Sequence, residues 1–462
     1  MKWRKVKVGD FLIRVKDLVQ IENDKEYCLV TIRLYHNGIR LRKKVNGSEI
    51  QADKMSRIKA GQFILSGIDA RNGAFGIVPD ELEGAVVTND FWHFDIKKNI
   101  ISEEYFLWLT STPYFDDICK KASDGTTNRI RLQADRFYPQ EILIPEIQDQ
   151  YIIVEKLKHT SSKISVLQNE LSHQLSQLEN LNQSILQEAV QGKLVEQDPK
   201  DEPAGELLKR IKAEKMNSSV LNSSVLNSSA LNSSVLNSSA PSGRRRLKKE
   251  KPLPPIKPEE IPFEIPQNWV WCRLGEICSK IGSGSTPKGS NYSNNGFPFF
   301  RSQNIYNESL VYDDIKFVSE EVQKLMNGTI VLANDILLNI TGGSMGRCAL
   351  VPDDFEEGNV SQHVCIIRPM KINRSYFHKI VLSPYFQKLI FSSTTGAGRE
   401  GLPKYNLERF LISLPPLSEQ KRIVAEIENQ FAKTKQLKEH IIANQQATEQ
   451  LLKALLHQAF EV

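Results

Sequence analysis

PEIQDQYIIVEKL, Pro145–Leu157, returns 270 residues later as PPLSEQKRIVAEI, Pro415–Ile427. The match extends in both directions. Upstream, AGQFILSGIDARNGAFGIVPD (Ala60–Asp80) aligns with ANDILLNITGGSMGRCALVPD (Ala333–Asp353) at an offset of 273, and TPYF (Thr112–Phe115) with SPYF (Ser383–Phe386) at 271. Downstream, LQEAV (Leu186–Val190) falls on LHQAF (Leu456–Phe460), again at 270. Ordered matches at a nearly constant offset mean one unit present twice.

Each copy has two parts. The first, roughly 1–145 and 269–415, alternates short β-branched and aromatic runs with Gly, Asn, Asp and Pro turns, which reads as strand-rich with a few helices such as Glu103–Ala122. The second is one long helix. Leu157, Ile164, Leu171, Leu178 and Ile185 recur every seven residues, with Leu167 and Leu181 at the other seam position. The second copy places Ile427, Thr434, Ile441, Thr448 and Leu455 in step, with Leu437 and Leu451 beside them. Two apolar seams in one chain are natural partners, so an antiparallel coiled coil is expected, carrying one globular unit at each end in pseudo-twofold relation. The alternative is that each helix packs along its own globular part. The fold class is α+β.

Bulk properties fit this division. A chain of 462 residues exceeds one ordinary core, and 25% charged with 40% hydrophobic residues is a globular composition. The net charge of +5 is mildly basic, but Lys and Arg concentrate locally: Arg40, Arg42, Lys43 and Lys44, then RRRLKKEK at Arg244–Lys251. Such runs suit nucleic acid and also occur as solvated surface. The six cysteines are scattered without CxxC spacing, which argues against zinc and a disulfide framework. No signal-peptide core or membrane-length apolar run occurs, so a cytoplasmic protein without membrane contact is expected.

Catalytic signatures are missing. GSGSTPKG (Gly282–Gly289) has Gly where the Walker pattern needs Ser or Thr after Lys288. SPYF lacks the second proline of an adenine-methyltransferase motif, and both it and TPYF read as helix starts. VPDDFEEG (Val351–Gly358) lacks the lysine of a nuclease metal site. No catalytic residue, metal site or cofactor bound by this chain is expected. Recognition remains: Arg, Asn, Gln, Ser and Thr in loops suit base edges, and Lys and Arg suit phosphates. In the first copy the candidates are the basic run above, Arg71, Asn72, Asn128, Arg129 and Arg131. In the second they are Ser283, Ser285, Thr286, Lys288, Arg301, Gln303, Asn304, Arg399 and Lys404. Any single one of these is equally compatible with a structural surface role.

The chain resembles the specificity subunit of type I restriction–modification enzymes along nearly its whole length. The carriers are the two proline–glutamine entries quoted at the outset, the stretch LNQSILQEAVQGKLVEQDPKDEPAGELLKRIKAEK (Leu181–Lys215), and IPFEIPQNWVWCRLGEI (Ile261–Ile277) followed by GSGSTPKG. The first globular part departs from the pattern, since VKVGDFLIRVKDLVQIEN has no GSGSTPKG counterpart. The resemblance implies two target-recognition domains, 1–147 and 261–416, with conserved coiled-coil helices at 148–195 and 417–462 and a linker at 196–260. Each recognition domain would read one half of a bipartite site in double-stranded DNA. The helices would set the spacing and dock two modification (M) subunits, to which restriction (R) subunits add. S-adenosylmethionine, Mg2+ and ATP would belong to those partners. A solitary two-headed DNA-binding regulator and a protein-binding scaffold are the alternatives.

MNSSVLNSSVLNSSALNSSVLNSSA (Met216–Ala240) repeats a five-residue phrase inside the expected linker. Asn and Ser compete for backbone hydrogen bonds, and Leu every fifth residue forms no continuous stripe on a helix or strand. A flexible linker is expected. If helical, each unit would add about 7.5 Å, which makes control of half-site spacing by copy number a hypothesis.

Overall fold

The computed structural model describes residues 2–124, 130–231, 252–394 and 401–460, with the backbone alone for 218–231 and Ser290. The chain forms two compact units: Met1–Gln174 with His440–Val462, and Leu175–Glu439. The two long helices, Ile147–Gln191 and Leu417–Phe460, each have one half in each unit.

In the first unit Trp3–Lys7 pairs antiparallel with Glu141–Pro145, the strand that leads into the first long helix. Four strands follow in the order Leu12–Val15, Phe91–Ile96, Phe63–Ser66, Phe75–Ile77. A five-stranded sheet runs Leu18–Gln20, Lys54–Arg57, Val86–Val87, Glu26–Ile32, Ile39–Asn46. Phe63 lies at the centre of the core, with ring centroids 4.8–6.2 Å from Phe75, Phe94, Phe106 and Phe115.

The second unit repeats the plan. Val270–Arg273 pairs with Leu411–Leu414, and four strands run Cys278–Ser283, Val364–Pro369, Ile336–Asn339, Cys348–Leu350. Its other sheet is Lys316–Val318, Phe297–Phe300, Glu357–Val360, Ile330–Leu332. Each unit contains the same unusual parallel pair, Leu29 beside Val86 in one and Phe299 beside Asn359 in the other. TPYF and SPYF do start helices, Pro113–Lys121 and Pro384–Ser392, with proline in the first turn, where its missing N–H costs nothing.

Within each unit the start of one long helix meets the end of the other, so the pairing is antiparallel. In the first, Ile153, Val154 and Leu157 share a core with Leu456, Ala459 and Phe460. In the second, Ile185, Leu186 and Val190 pack with Ile423, Val424 and Ile427. The heptad residues Leu157, Ile164, Leu171, Ile185, Ile427 and Ile441 are buried, and Leu178 and Leu455 are half-buried. Thr434 and Thr448 are buried on the same seam with their hydroxyls bonded, Thr434 to Asn182 Oδ1 at 2.8 Å. The companion leucines do not complete it: Leu167 and Leu181 are 47% exposed, and Leu437 and Leu451 52%. From Ile164 the seam advances by four before three, so the half-buried Gln168, Leu175 and Asn182 occupy the place expected for them.

The expected linker is also corrected. Ala204–Leu231 is a helix, and Ala204, Leu207, Leu208 and Ile211 are buried in the core of the second unit. Its backbone stays helical through the first units of the pentapeptide. Nucleation is the costly step of helix formation, and the docked first turns have already met it, so residues of mediocre propensity can extend the helix. Further anchors follow, with Lys212 Nζ 2.7 Å from Glu276 and Lys215 Nζ donating to Gly275 O at 2.6 Å. On the return, Pro254 O and Pro255 O accept from the Arg273 guanidinium. Both flanks of the repeat therefore dock on the same unit. Residues 232–240 of the repeat and the run Arg244–Lys251 lie outside the described residues.

Candidate nucleic-acid interface

The same loop is presented by both units. In the first it follows Phe63–Ser66 and spans Gly67–Ala74; in the second it follows Ile336–Asn339 and spans Ile340–Arg347. Each accepts an equivalent backbone bond, Leu132 N to Gly67 O at 2.7 Å and Leu402 N to Ile340 O at 2.9 Å. The closing bonds correspond, Ser66 N to Ala74 O and Asn339 N to Arg347 O, both at 2.9 Å, but the turns inside them differ, with Gly342 at φ +75° where Asp69 has φ −112°, and so do the side chains: IDARNG in one unit, TGGSMG in the other.

In the first unit this loop gathers several of the sequence candidates. Arg71 and Asn72 lie in a short 3-10 turn closed by Gly73 at φ +72°, a left-handed conformation that glycine adopts without strain. Tyr35 N donates to Asn72 O at 2.8 Å and His36 N to Gly73 O at 3.0 Å, which ties the tip of the Glu26–Asn46 hairpin to the loop. Arg40, Arg42, Lys43 and Lys44 are exposed along the outer strand of that hairpin, with the bulge in the pairing falling at Arg42. Lys44 has a distant ionic neighbour, Glu26, at 3.9 Å. Arg131 is already paired, its Nη1 2.7 Å from Asp90 Oδ1, so binding DNA through it requires exchange of that partner. Asn128 and Arg129 lie outside the described residues.

In the second unit the GSGSTPKG segment is locked onto residues 360–364. Gly284 N donates to Val364 O and Ser285 N to Val360 O, and a Cβ at Gly284 would fall on the Val360 carbonyl. Ser283, Ser285, Thr286 and Lys288 are exposed, and Thr286 Oγ1 donates to Gln362 Oε1 at 2.5 Å. Thr341 Oγ1 lies 2.7 Å from His363 Nδ1, and the Thr341 backbone pairs with that of Gly401 in an isolated β-bridge. Lys404 is exposed and paired with Glu408 at 3.2 Å. Arg399 lies outside the described residues. Thr341, Gln362 and His363 join this surface without having been singled out from sequence. For Thr341 the signal was the alignment of the Ile340 loop with the Gly67 loop; Gln362 and His363 lie outside that alignment and carried none.

Three candidates turn inward or sideways. Asn304 is fully buried; its amide donates to Val311 O and Asp313 O, and its oxygen accepts from Arg301 N. A buried amide must meet its hydrogen-bonding needs inside the fold, so Asn304 is a structural residue and leaves the set of DNA contacts. Arg301 and Gln303 both donate to Asp314, at 3.0 and 3.1 Å. Lys316 and Arg301 hold the Asp314 carboxyl down to about 2, so it stays ionised and competes with any phosphate for both side chains.

Burial pushes the thiols of Cys119, Cys272, Cys278 and Cys348 up, and that of Cys365 to about 12, so they stay protonated. Among the described residues no group of His, Cys, Asp and Glu is arranged to hold a metal ion, and no helix is long and apolar enough to cross a membrane.

Comparison with known proteins agrees with this geometry. The chain is 30% identical over 292 residues to the type I restriction enzyme EcoAI specificity subunit of Escherichia coli, covering 62% of this chain and 45% of that one. It is 28% identical over 315 residues to the EcoEI specificity subunit of the same organism, covering 65% and 48%. The match thus spans about half the length of these relatives. In fold, it is similar to the HsdS subunit from Thermoanaerobacter tengcongensis, with TM-score 0.54 and 17% identity over 99% of this chain and 96% of the other. A structure describing complex assembly and conformational transition of the type I R-M system gives TM-score 0.61 and 16% identity over 99% and 97%. The family model for the type I restriction modification DNA specificity domain matches residues 1–177 and 266–444, one segment in each copy of the repeat, and the chain belongs to that family.

Proposed function

We propose that this chain is the DNA-reading subunit of a type I restriction–modification complex, with each strand-rich unit reading one half of a bipartite duplex site. The observation that carries the proposal is the duplicated loop. Gly67–Ala74 and Ile340–Arg347 follow equivalent strands and share their closing and anchoring backbone bonds yet offer different turns and different polar side chains, as two heads built to read different sequences would. In the first head, Arg40, Arg42, Lys43, Lys44 and Arg71 contact phosphates or guanine edges, and Asn72 reads a base. In the second, Ser283, Ser285, Thr286, Gln362 and His363 face base edges while Lys288 and Lys404 hold phosphate. Arg301 and Gln303 join once DNA displaces Asp314.

The two long helices carry the spacing between half-sites and offer a docking surface for two modification subunits. The half-exposed leucines Leu167, Leu181, Leu437 and Leu451, equivalent in the two copies, suit such a surface. S-adenosylmethionine, Mg2+ and ATP are used by the modification and restriction partners, which methylate adenine N6 on a flipped base and cleave DNA; this chain supplies specificity and no catalysis.

The test is DNA affinity of the chain assembled with its modification partner, measured across a salt series. Affinity for a fixed duplex should fall linearly on a log–log plot, as counterion release requires. Salt-independent or absent binding would favour a protein scaffold. Tight, sequence-specific binding by the chain alone would favour a solitary regulator.

A further inference from the structure

Tyr35 is 75% exposed, the most exposed aromatic side chain among the described residues. It sits at φ +59° and is followed by His36 at φ +60°, two consecutive non-glycine residues in the left-handed region. Such a backbone persists only where its surroundings hold it. Here they do. The two backbone N–H groups donate to Asn72 O and Gly73 O, the His36 ring lies 5.3 Å from Phe75, and its Nε2 is 2.9 Å from Asp116 Oδ1. His36 is the anchor, and Tyr35 is left exposed on a tip that carries the exposed Arg33 and is tied to the loop of the half-exposed Arg71.

The second unit has exposed aromatics on the corresponding connector. Its connector between Phe297–Phe300 and Lys316–Val318 corresponds to the tip between Glu26–Ile32 and Ile39–Asn46. It carries Tyr306, 40% exposed, with the Arg347 guanidinium 4.9 Å from the ring centroid. Asn307 Oδ1 accepts from Cys348 N at 3.1 Å, pinning this connector to the strand that directly follows the loop. A single exposed tyrosine is ordinary on a protein surface. An exposed tyrosine on the connector that docks at the C-terminal side of the corresponding loop, in both units, calls for a shared use.

We infer that Tyr35 and Tyr306 are specificity-determining contacts, each laying its ring against a base edge within its own DNA half-site. The inference rests on the DNA-reading proposal above and names the residues that act within it. A flat, partly polar ring next to cations matches duplex DNA, whose charged backbone flanks stacked apolar bases; it suits an acidic protein surface less well. The rigid anchoring of the tip means that little ordering remains to be done on binding.

The test uses the full chain assembled with its modification partner, and duplex oligonucleotides carrying the motif that the wild-type complex methylates. Tyr35→Ala and Tyr306→Ala should each lower the methylation rate about tenfold or more, in line with the loss of one good base contact. Each should relax base preference in one half-site only, and the two variants should affect opposite halves. Tyr35→Phe and Tyr306→Phe keep the ring and should retain the rate. Wild-type rate and preference in both alanine variants would overturn the inference, as would relaxation spread over both halves. A wild-type complex that methylates no bipartite motif would sink the DNA-reading proposal and this inference with it; a wild-type motif with inert tyrosines would sink the inference alone.

Discussion

Gln150 is buried at the start of the first long helix, where its Oε1 accepts from Ser102 N at 2.8 Å and its Nε2 donates to Ile100 O and Pro145 O. Gln420, its counterpart in the second helix, accepts from Asn373 N at 2.9 Å and donates to Pro415 O at 3.0 Å. Ser102 and Asn373 are the N-caps of equivalent helices, so one glutamine in each copy fixes a cap, a strand end and a long helix together. Gln420→Leu leaves these groups buried and unpaired at about 1–3 kcal/mol each. The expected loss is about 2–6 kcal/mol, visible as faster hydrogen exchange in Arg374–Leu382. Unchanged protection there would contradict this role. Histidine gives a second residue-scale prediction. Burial pushes His93 and His378 below the ordinary value of 6.5, and the His378 Nε2 lies 2.9 Å from Cys348 O. Below about pH 6.5 the unfolded chain takes up protons that the folded chain refuses, so stability rises with pH through that window and levels off above it. The melting temperature should therefore drop on acidification from pH 7 to 5.5, and His378→Gln should shrink the drop. The paired glutamines were legible in the sequence as part of the repeated entry. The fate of Asn304 was not, because a polar residue in a loop sequence carries no mark of whether the loop folds over it.

At the scale of elements, the long helices were readable because seven-residue spacing is a property of the sequence itself. The companion seam was misread: Leu167 and Leu181 fit a three-residue step as well as their neighbours fit a four-residue one, and only packing chooses between the two. The pentapeptide was misread for a related reason. Propensity described its residues correctly, but the helix that enters it is nucleated by Ala204–Ile211, which dock in the core of the second unit. Since Lys215 and Pro254 both anchor on that unit, the repeat is an excursion with its two flanks on one body, which does not fit a spacer in series between two heads. Deleting one or two LNSSV units should leave both the gap and the half-sites of the methylated motif unchanged. A gap that shifts with copy number would restore the ruler hypothesis.

At the scale of the molecule, the duplication was visible throughout, because constant-offset matches survive even where the reading surfaces have diverged. What the sequence could not convey was which polar residues share a surface. Thr341, Gln362 and His363 come together with Thr286 only through strand pairing and loop closure. The central claim is that two units of one frame read two halves of one site. Its most direct measurement is co-expression with the modification partner, followed by base-resolution mapping of N6-methyladenine across the host DNA. Two short half-sites separated by a gap of fixed length and free sequence are predicted. A single contiguous motif, or methylation without any motif, would contradict the account.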